Sequence, residues 1–256
     1  MDCVHVPEER LMHRFYADPD RSPEENSAYL TPEDAHHALN VLRLKAGSPV
    51  ELIDGSMRFR AVIESVDGNG VQVRKEDSLP STETTVSFTL FQGLPKGDKM
   101  EMIIQKAVEL GVSRIVPVVM NRCVVRLNGK DAARKQERWQ KIAREAGKQC
   151  GRCIIPEVTL PVPVEGIASL RENLEEIVVP WELSEKYGPM AFVRDHPGIR
   201  SLGIVIGPEG GIEDGEISFL TALPAKPITL GRRILRTETA GMAAVSAFSA
   251  LYGEME

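Results

Sequence analysis

The sequence lacks several features that would assign a class at once. Four cysteines in 256 residues are too few for a disulfide scaffold. No run approaches the roughly eighteen apolar residues of a membrane span. The N-terminus has no basic region leading into an apolar core. A cytoplasmic protein with no membrane partner is therefore expected. Neither GxxxxGK[ST] nor GxGxxG occurs, which argues against the phosphate loop of an NTPase and the turn of a dinucleotide fold. Cys150-Gly151-Arg152-Cys153 is a lone CxxC, with no second CxxC and no HxxxH to complete a zinc set. It follows a basic helical stretch, whereas a reactive pair opens a helix, where the dipole lowers the thiol pKa. The cysteines are thus expected to be small buried hydrophobes. His36 and His37 are adjacent and would point about 100° apart on a helix. No metal is expected.

What is present is ordinary in bulk and uneven in distribution. Apolar residues make up 42% and charged residues 27%, the balance of a globular protein, and the length suits one large or two modest domains. The net charge of −6 hides a segregation: from Arg114 to Arg152 there are eleven Lys or Arg against three acids. Such a stretch suits a basic face for a phosphate backbone, and equally a solvated helix face.

The most informative stretch is the last sixth. An apolar strand, Gly203-Ile204-Val205-Ile206, runs into Gly207-Pro208-Glu209-Gly210-Gly211. A second loop, Leu230-Gly231-Arg232-Arg233-Ile234-Leu235-Arg236-Thr237-Glu238-Thr239-Ala240, leads into an Ala-rich helix. Two loops at the carboxyl ends of buried strands are where an open α/β sheet places its ligand. The glycines admit close approach of backbone to ligand, and Pro208 withholds an N–H. The pair is shaped for something flat or apolar.

GPEGG followed some twenty residues later by LGxRILRxETA resembles the SPOUT methyltransferases, and within them the RsmE-type enzymes that methylate uridine N3 in 16S ribosomal RNA of the small subunit. The resemblance covers the whole chain. It implies a C-terminal SPOUT-type α/β trefoil-knot domain with a smaller N-terminal PUA-like β-barrel domain, S-adenosylmethionine as cofactor, and a homodimer. By matching positions it places the cofactor against Trp181 and Glu182, then Ile206, Gly207, Pro208, Glu209, Gly210 and Gly211, then Leu230, Gly231, Ile234, Leu235, Thr239 and Ala240. Arg236 and Glu238 fall in the loop around the cofactor. Arg236 is expected to orient RNA phosphate or the developing uracil anion. Glu238 is expected to position the loop, to accept a hydrogen bond or proton, or simply to satisfy the helix dipole. Arg43, Arg122, Arg126 and Arg152 are the candidates for RNA phosphate. The partner is small-subunit ribosomal RNA or the assembled small subunit. Alternatives are a ribose 2′-O-methyltransferase on ribosomal or transfer RNA, and a non-catalytic RNA-binding assembly protein. At the CxxC the family pattern reads Gln-Ser-Gly-Arg, so Cys150 replaces a serine while Gln149 and Arg152 match.

Taken in order, residues 1–80 predict a small β-rich domain. Thr31-Pro32-Glu33-Asp34 supplies an N-cap, a proline at the first helical position and acids at the positive helix end, so a helix should run to about Leu42. Short strands follow around Val50–Ile53, Arg58–Ser65 and Gly70–Arg74. A polar, proline-containing link at Ser78–Thr82 sets the boundary, and 81–256 form the methyltransferase-like domain. There Thr85–Phe91, Arg114–Met120, Ile177–Val179, Gly203–Ile206 and Ile228–Leu230 should be strands. Helices are expected after Asp98, over Lys130–Gln149, Val164–Leu174 and Ile212–Leu223, and from Thr239 onward. Asp98 is expected to cap its helix, and Tyr187–Arg200 to be irregular.

Overall fold

The computed structural model describes residues 12–21, 26–68 and 70–255. The chain forms two compact units, one of residues 1–83 with 151–154, the other of 84–150 with 155–256.

In the first unit, β1 (Arg14–Tyr16), β2 (Ser27–Tyr29), α1 (Pro32–His36), β3 (Pro49–Asp54), β4 (Met57–Asp67) and β5 (Gly70–Leu79) follow one another. The sheet order is β1-β3-β4-β5-β2. An Ala17–Leu30 bridge then joins the two outer strands, with Asp18 N–H donating to Tyr29 O at 2.7 Å and Thr31 N–H to Tyr16 O at 3.1 Å. The sheet thereby closes into a barrel. The alternation of β3, β4 and β5 sends Val50, Leu52, Ala61, Ile63, Val71 and Val73 inward, around Phe15 and Leu30. One pair, β1 with β3, is parallel, so the barrel is not wholly antiparallel.

Thr31 caps α1 as its chemistry predicts, accepting the Asp34 N–H at 3.2 Å, with Pro32 in the first turn. Asp34 is buried and accepts the N–H of Tyr16 at 2.7 Å, which ties the helix to the barrel wall. The helix continues as a π-turn over His37–Val41.

In the second unit, β6 (Ser87–Gly93), α2 (Lys99–Glu109), β7 (Val112–Val119), α3 (Gly129–Cys150), β8 (Glu157–Val158), β9 (Val162–Pro163), α4 (Ile167–Leu170), β10 (Glu176–Pro180), α5 (Pro189–Asp195), β11 (Ser201–Ile206), α6 (Asp214–Ala222), β12 (Lys226–Ile228) and α7 (Thr237–Leu251) build a seven-stranded sheet. Its order is β12-β10-β11-β6-β7-β8, with β9 also on β7, and every pairing is parallel. Such a sheet is buried on both faces, which is why its strands are apolar runs without alternation. From β6 the chain runs outward through β7 to β8, and on the other side β11, β10 and β12 follow. The reversal at β6 and β11 is a topological switch point, where an open parallel sheet leaves a crevice at the strand carboxyl ends.

Two helices show how burial follows from spacing. Met100, Ile103, Ile104, Ala107 and Val108 of α2 are buried as one face. Trp139, Ala143, Ala146 and Gly147 of the basic α3 do the same, leaving its charges outward.

Three expectations are corrected. Asp98 stands at the N-cap of α2 but makes no capping side-chain hydrogen bond. Val164–Leu174 is not one helix: a 3-10 turn at Val164–Gly166, α4, and a second 3-10 turn at Arg171–Asn173 replace it, with Gly166 weakening helical continuity. Tyr187–Arg200 is not irregular throughout, because Pro189 opens α5 from its first turn, a position where proline starts a helix instead of breaking one. Among the described residues no helix is long and apolar enough to cross a membrane.

Candidate functional site

The carboxyl ends of β10 and β11 and the loop after β12 converge on one crevice of the second unit. A cleft of about 430 Å³ lies between Glu182, the run Ile206–Ile212 and the segment Ile234–Thr237 with Ala240. A smaller one of about 120 Å³, lined by Trp181, Glu182, Thr229–Leu235 and Ala240, shares Pro180, Glu182, Ile234, Leu235 and Ala240 with it. The combined crevice falls within the usual range of small-ligand sites. Its lining is about evenly polar and apolar, and Ile234 projects into solvent at its rim, 88% exposed.

Two close approaches hold the crevice open. A Cβ at Gly93 would lie 2.6 Å from Pro208 N and 2.8 Å from its Cδ, so only glycine lets the end of β6 pass under the loop after β11. Gly211 adopts φ +76, left-handed backbone that turns the loop back toward α6.

A hydrogen-bonded chain then locks the loops together. Gln92 Nε2, fully buried at the end of β6, donates to Thr237 Oγ1 at 2.8 Å and to Gly93 O at 3.1 Å. Thr237 Oγ1 donates in turn to Gly207 O at 2.6 Å. Beside it, Glu209 Oε1 accepts the Lys96 N–H at 3.1 Å and pairs with Lys99 Nζ at 3.0 Å. Burial pushes the Glu209 carboxyl up, but Lys99 and the backbone donors outweigh it and hold the group below its ordinary range. On the far side, Glu213 and Glu216 form a capping box on α6. Glu216 also accepts the Asn121 N–H at 2.8 Å, which fixes the loop after β7 against the crevice.

Of the residues expected from the sequence, Trp181, Glu182, Ile206 to Gly211, Leu230, Gly231, Ile234, Leu235 and Ala240 all line the crevice. The Glu209 carboxylate is committed to Lys96 and Lys99. Thr239 is exposed on the first turn of α7 and is not among the lining residues. Arg236 lines the cleft, exposed, and among the described residues no acceptor pairs with its guanidinium. Glu238 is turned to Lys99 Nζ at 3.3 Å and is not among the lining residues.

Arg122 donates to Gly210 O at 2.9 Å and lies 3.6 Å from Glu213, so it braces the glycine loop as well as facing solvent. Arg126 is exposed and donates to Asn121 O at 3.2 Å. Arg43 is exposed in the first unit, with φ +56. Arg152 is a correction. It is 4% exposed, and its guanidinium pairs with Glu83 at 2.6 Å and 2.8 Å, so it is not available to a phosphate. Its neighbour in the motif, Cys153, is buried, and Cys123, Cys150 and Cys153 form no disulfide. Burial pushes the Cys123 thiol up, which makes it inert. Among the described residues no cluster of three His, Cys, Asp or Glu is placed to hold a metal ion.

Gln92, Lys99 and Thr237 were not singled out from the sequence. The available signal was a lone amide ending the apolar run of β6, followed by Pro95-Lys96-Gly97-Asp98-Lys99.

Comparisons with known proteins match both units. The family described as RNA methyltransferase domain matches residues 82–249, and that described as RNA methyltransferase PUA domain matches residues 30–76. Ribosomal RNA small subunit methyltransferase E of Bacillus subtilis is 37% identical over 227 residues, covering 86% of this chain and 88% of that protein. The protein of the same name from Mycobacterium tuberculosis is 31% identical over 238 residues, covering 88% and 86%. The crystal structure of that enzyme from Neisseria gonorrhoeae, bound to S-adenosyl methionine, superposes with a TM-score of 0.78 at 31% identity, covering 96% of this chain and all of the other. The chain belongs to the RNA methyltransferase family, in the branch of ribosomal RNA small subunit methyltransferase E.

Proposed function

We propose that the chain transfers a methyl group from S-adenosylmethionine to N3 of a uridine in the 16S RNA of the small ribosomal subunit. The observation that carries this reading is the crevice itself: three loops at the carboxyl ends of adjacent parallel strands border a cleft of mixed polar and apolar lining, and Arg236, at the start of α7, lines it with no acceptor among the described residues. The residues present fit the donor. Ile206, Ile234, Leu235 and Ala240 offer apolar surface for an adenine ring, and backbone at Gly207 to Gly211, Leu230 and Gly231 can approach the rest closely. Glu182 and Trp181 close the wall after β10. When bound, the donor supplies a methyl carbon already activated by a sulfonium, so the protein has to align the nucleophile and deal with one proton.

Uridine N3 is a weak nucleophile while it keeps that proton. The Arg236 guanidinium, at the start of α7, stabilises the uracil anion as it forms or orients the adjoining phosphate. Glu238 pairs with Lys99, which suits a part in holding α7 better than a part in taking the proton. Arg43, Arg122 and Arg126 are the phosphate contacts in this reading, with the barrel as the PUA-like RNA-binding domain. A homodimer and a cytoplasmic setting belong to the same proposal; Ile234 and Leu183, both exposed at or next to the crevice lining, give a second copy an apolar surface to cover. The substrate is the free RNA or the assembled subunit.

The test is nucleoside mass spectrometry of small-subunit RNA from cells lacking the protein, with and without complementation. Loss and return of 3-methyluridine is the expected result. Loss of a ribose-methylated nucleoside would instead indicate a 2′-O enzyme, and no change would indicate a protein without catalysis.

A further inference from the structure

Lys99 opens α2, on the segment that follows β6. Its ammonium lies 3.0 Å from Glu209 Oε1 and 3.3 Å from Glu238 Oε2. Glu209 belongs to the loop after β11, and Glu238 to the first turn of α7. One nitrogen therefore ties the segment after β6 to two of the segments that shape the crevice. The Lys96 N–H adds a further tie to Glu209 at 3.1 Å.

Two carboxylates that share one cation are close enough to repel each other when it is removed. The hydrogen bond to Glu209, with help from Glu238, pushes the Lys99 pKa up against the opposing effect of burial. The ammonium is thus a fixed charge at working pH. It cannot accept the uridine proton, and its chemistry is that of a clamp.

We propose that Lys99 is a positioning residue of the methyl-transfer site, whose charge holds the Gly207–Gly211 loop and the start of α7 at the spacing the methyl donor and the target base require. Arg236 is two residues from Glu238, so whatever moves Glu238 moves the guanidinium offered to the base. The proposal rests on the reading of the crevice as a methyl-donor site. The other charged groups around the clamp are Lys96 on the same loop, Glu101 on α2, which pairs with Arg138, Arg122 on Gly210 and Arg236.

The test compares the full-length protein with Lys99→Met, Lys99→Arg and the double variant Lys99→Met/Glu238→Gln. Binding of S-adenosylmethionine is measured by calorimetry between pH 5 and pH 8, and turnover on small-subunit RNA is measured over the same range. Lys99→Met is expected to weaken donor binding about fivefold, the upper end for a partly exposed pair. Binding should recover toward pH 5, as the carboxylate range is approached and a proton on one carboxylate replaces the missing charge. Lys99→Arg should keep most of the parental affinity, and the double variant should bind better than Lys99→Met at pH 8 because the repulsion is gone. A generic loss of packing would produce neither the pH-dependent recovery nor the rescue. Parental affinity and pH profile in Lys99→Met, or a double variant no better than the single, would overturn the proposal. Should Lys99→Met fail to fold, the double variant and Lys99→Arg carry the same comparison. A parental protein that does not bind the donor would instead overturn the reading of the crevice, and the proposal with it.

Discussion

The side-chain amide of Gln92 donates to the hydroxyl of Thr237 at 2.8 Å, across 145 positions of the chain. Thr237 passes the bond on to Gly207 O, so one buried hydroxyl fixes the start of α7 against both β6 and the loop after β11. Thr237→Val keeps the shape and removes the relay, leaving the Gly207 carbonyl without this partner and Gln92 with Gly93 O alone. The expected cost is about 1–3 kcal/mol, read from urea unfolding, together with weaker binding of S-adenosylmethionine by calorimetry. Unchanged donor affinity would show that the relay does not shape the crevice.

Arg236 is exposed and lines the cleft without a partner among the described residues. Arg236→Ala should therefore leave stability within about 0.5 kcal/mol of the parent. Turnover is expected to fall about a hundredfold, the usual loss when one donor to a developing anion is deleted, with donor affinity retained. Single-turnover methylation of small-subunit RNA measures this, and a parental rate would remove Arg236 from the mechanism.

In the barrel, Glu51 is buried between Arg14 at 2.8 Å and Arg58 at 2.7 Å. Burial pushes its carboxyl up, but the two guanidinium groups outweigh that and lower it below 4.5. A depressed folded pKa stabilises the protein above the unfolded value, and that stabilisation is lost as pH falls through the folded one. Stability should thus show no Glu51 dependence from pH 6 to pH 8, and should decline below about pH 4.5. Glu51→Gln should cost about 3 kcal/mol at neutral pH by leaving two guanidinium groups without their anion, and should flatten the acid limb of the urea-midpoint profile.

Arg152 and Arg126 belong to one basic stretch but should behave oppositely. Arg152→Gln removes the guanidinium from a half-buried Glu83 and leaves it only the Cys153 and Ile154 N–H groups, at a cost of about 3 kcal/mol, with no change in the salt dependence of RNA binding beyond that due to unfolding. Arg126→Gln should barely alter stability and should lower the slope of log affinity against log salt by about one, as expected for one lost phosphate contact. Filter-binding titrations at several salt concentrations, paired with melting curves, distinguish the two.

The elements that carry the crevice could be read without coordinates because they are locally determined, whereas the individual lining residues were named from the family resemblance. The apolar run of Gly203–Ile206 can only be a buried strand, and glycines at 207, 210 and 211 can only be a loop of close approach. The same holds for α2, whose buried positions recur at helical spacing, and for the Thr31 cap of α1. The misreadings came where local signals conflict. Pro189 reads as a breaker unless it falls in a first turn, and Gly166 divides a stretch whose apolar spacing suggests one helix.

Composition, periodicity and loop chemistry alone determined the β-rich first part, the parallel α/β second part and the two glycine-bearing loops, because each depends on residues near one another in sequence. The partners of charged and amide side chains were decided only by the tertiary structure. Arg152 and Arg126 are alike as letters, yet one is buried on Glu83 and the other is exposed. Lys99 and Gln92 gain their roles from residues more than a hundred positions away. A strand or a cap is settled by its own neighbours, whereas an ion pair depends on which chain segments the fold brings within 3 or 4 Å.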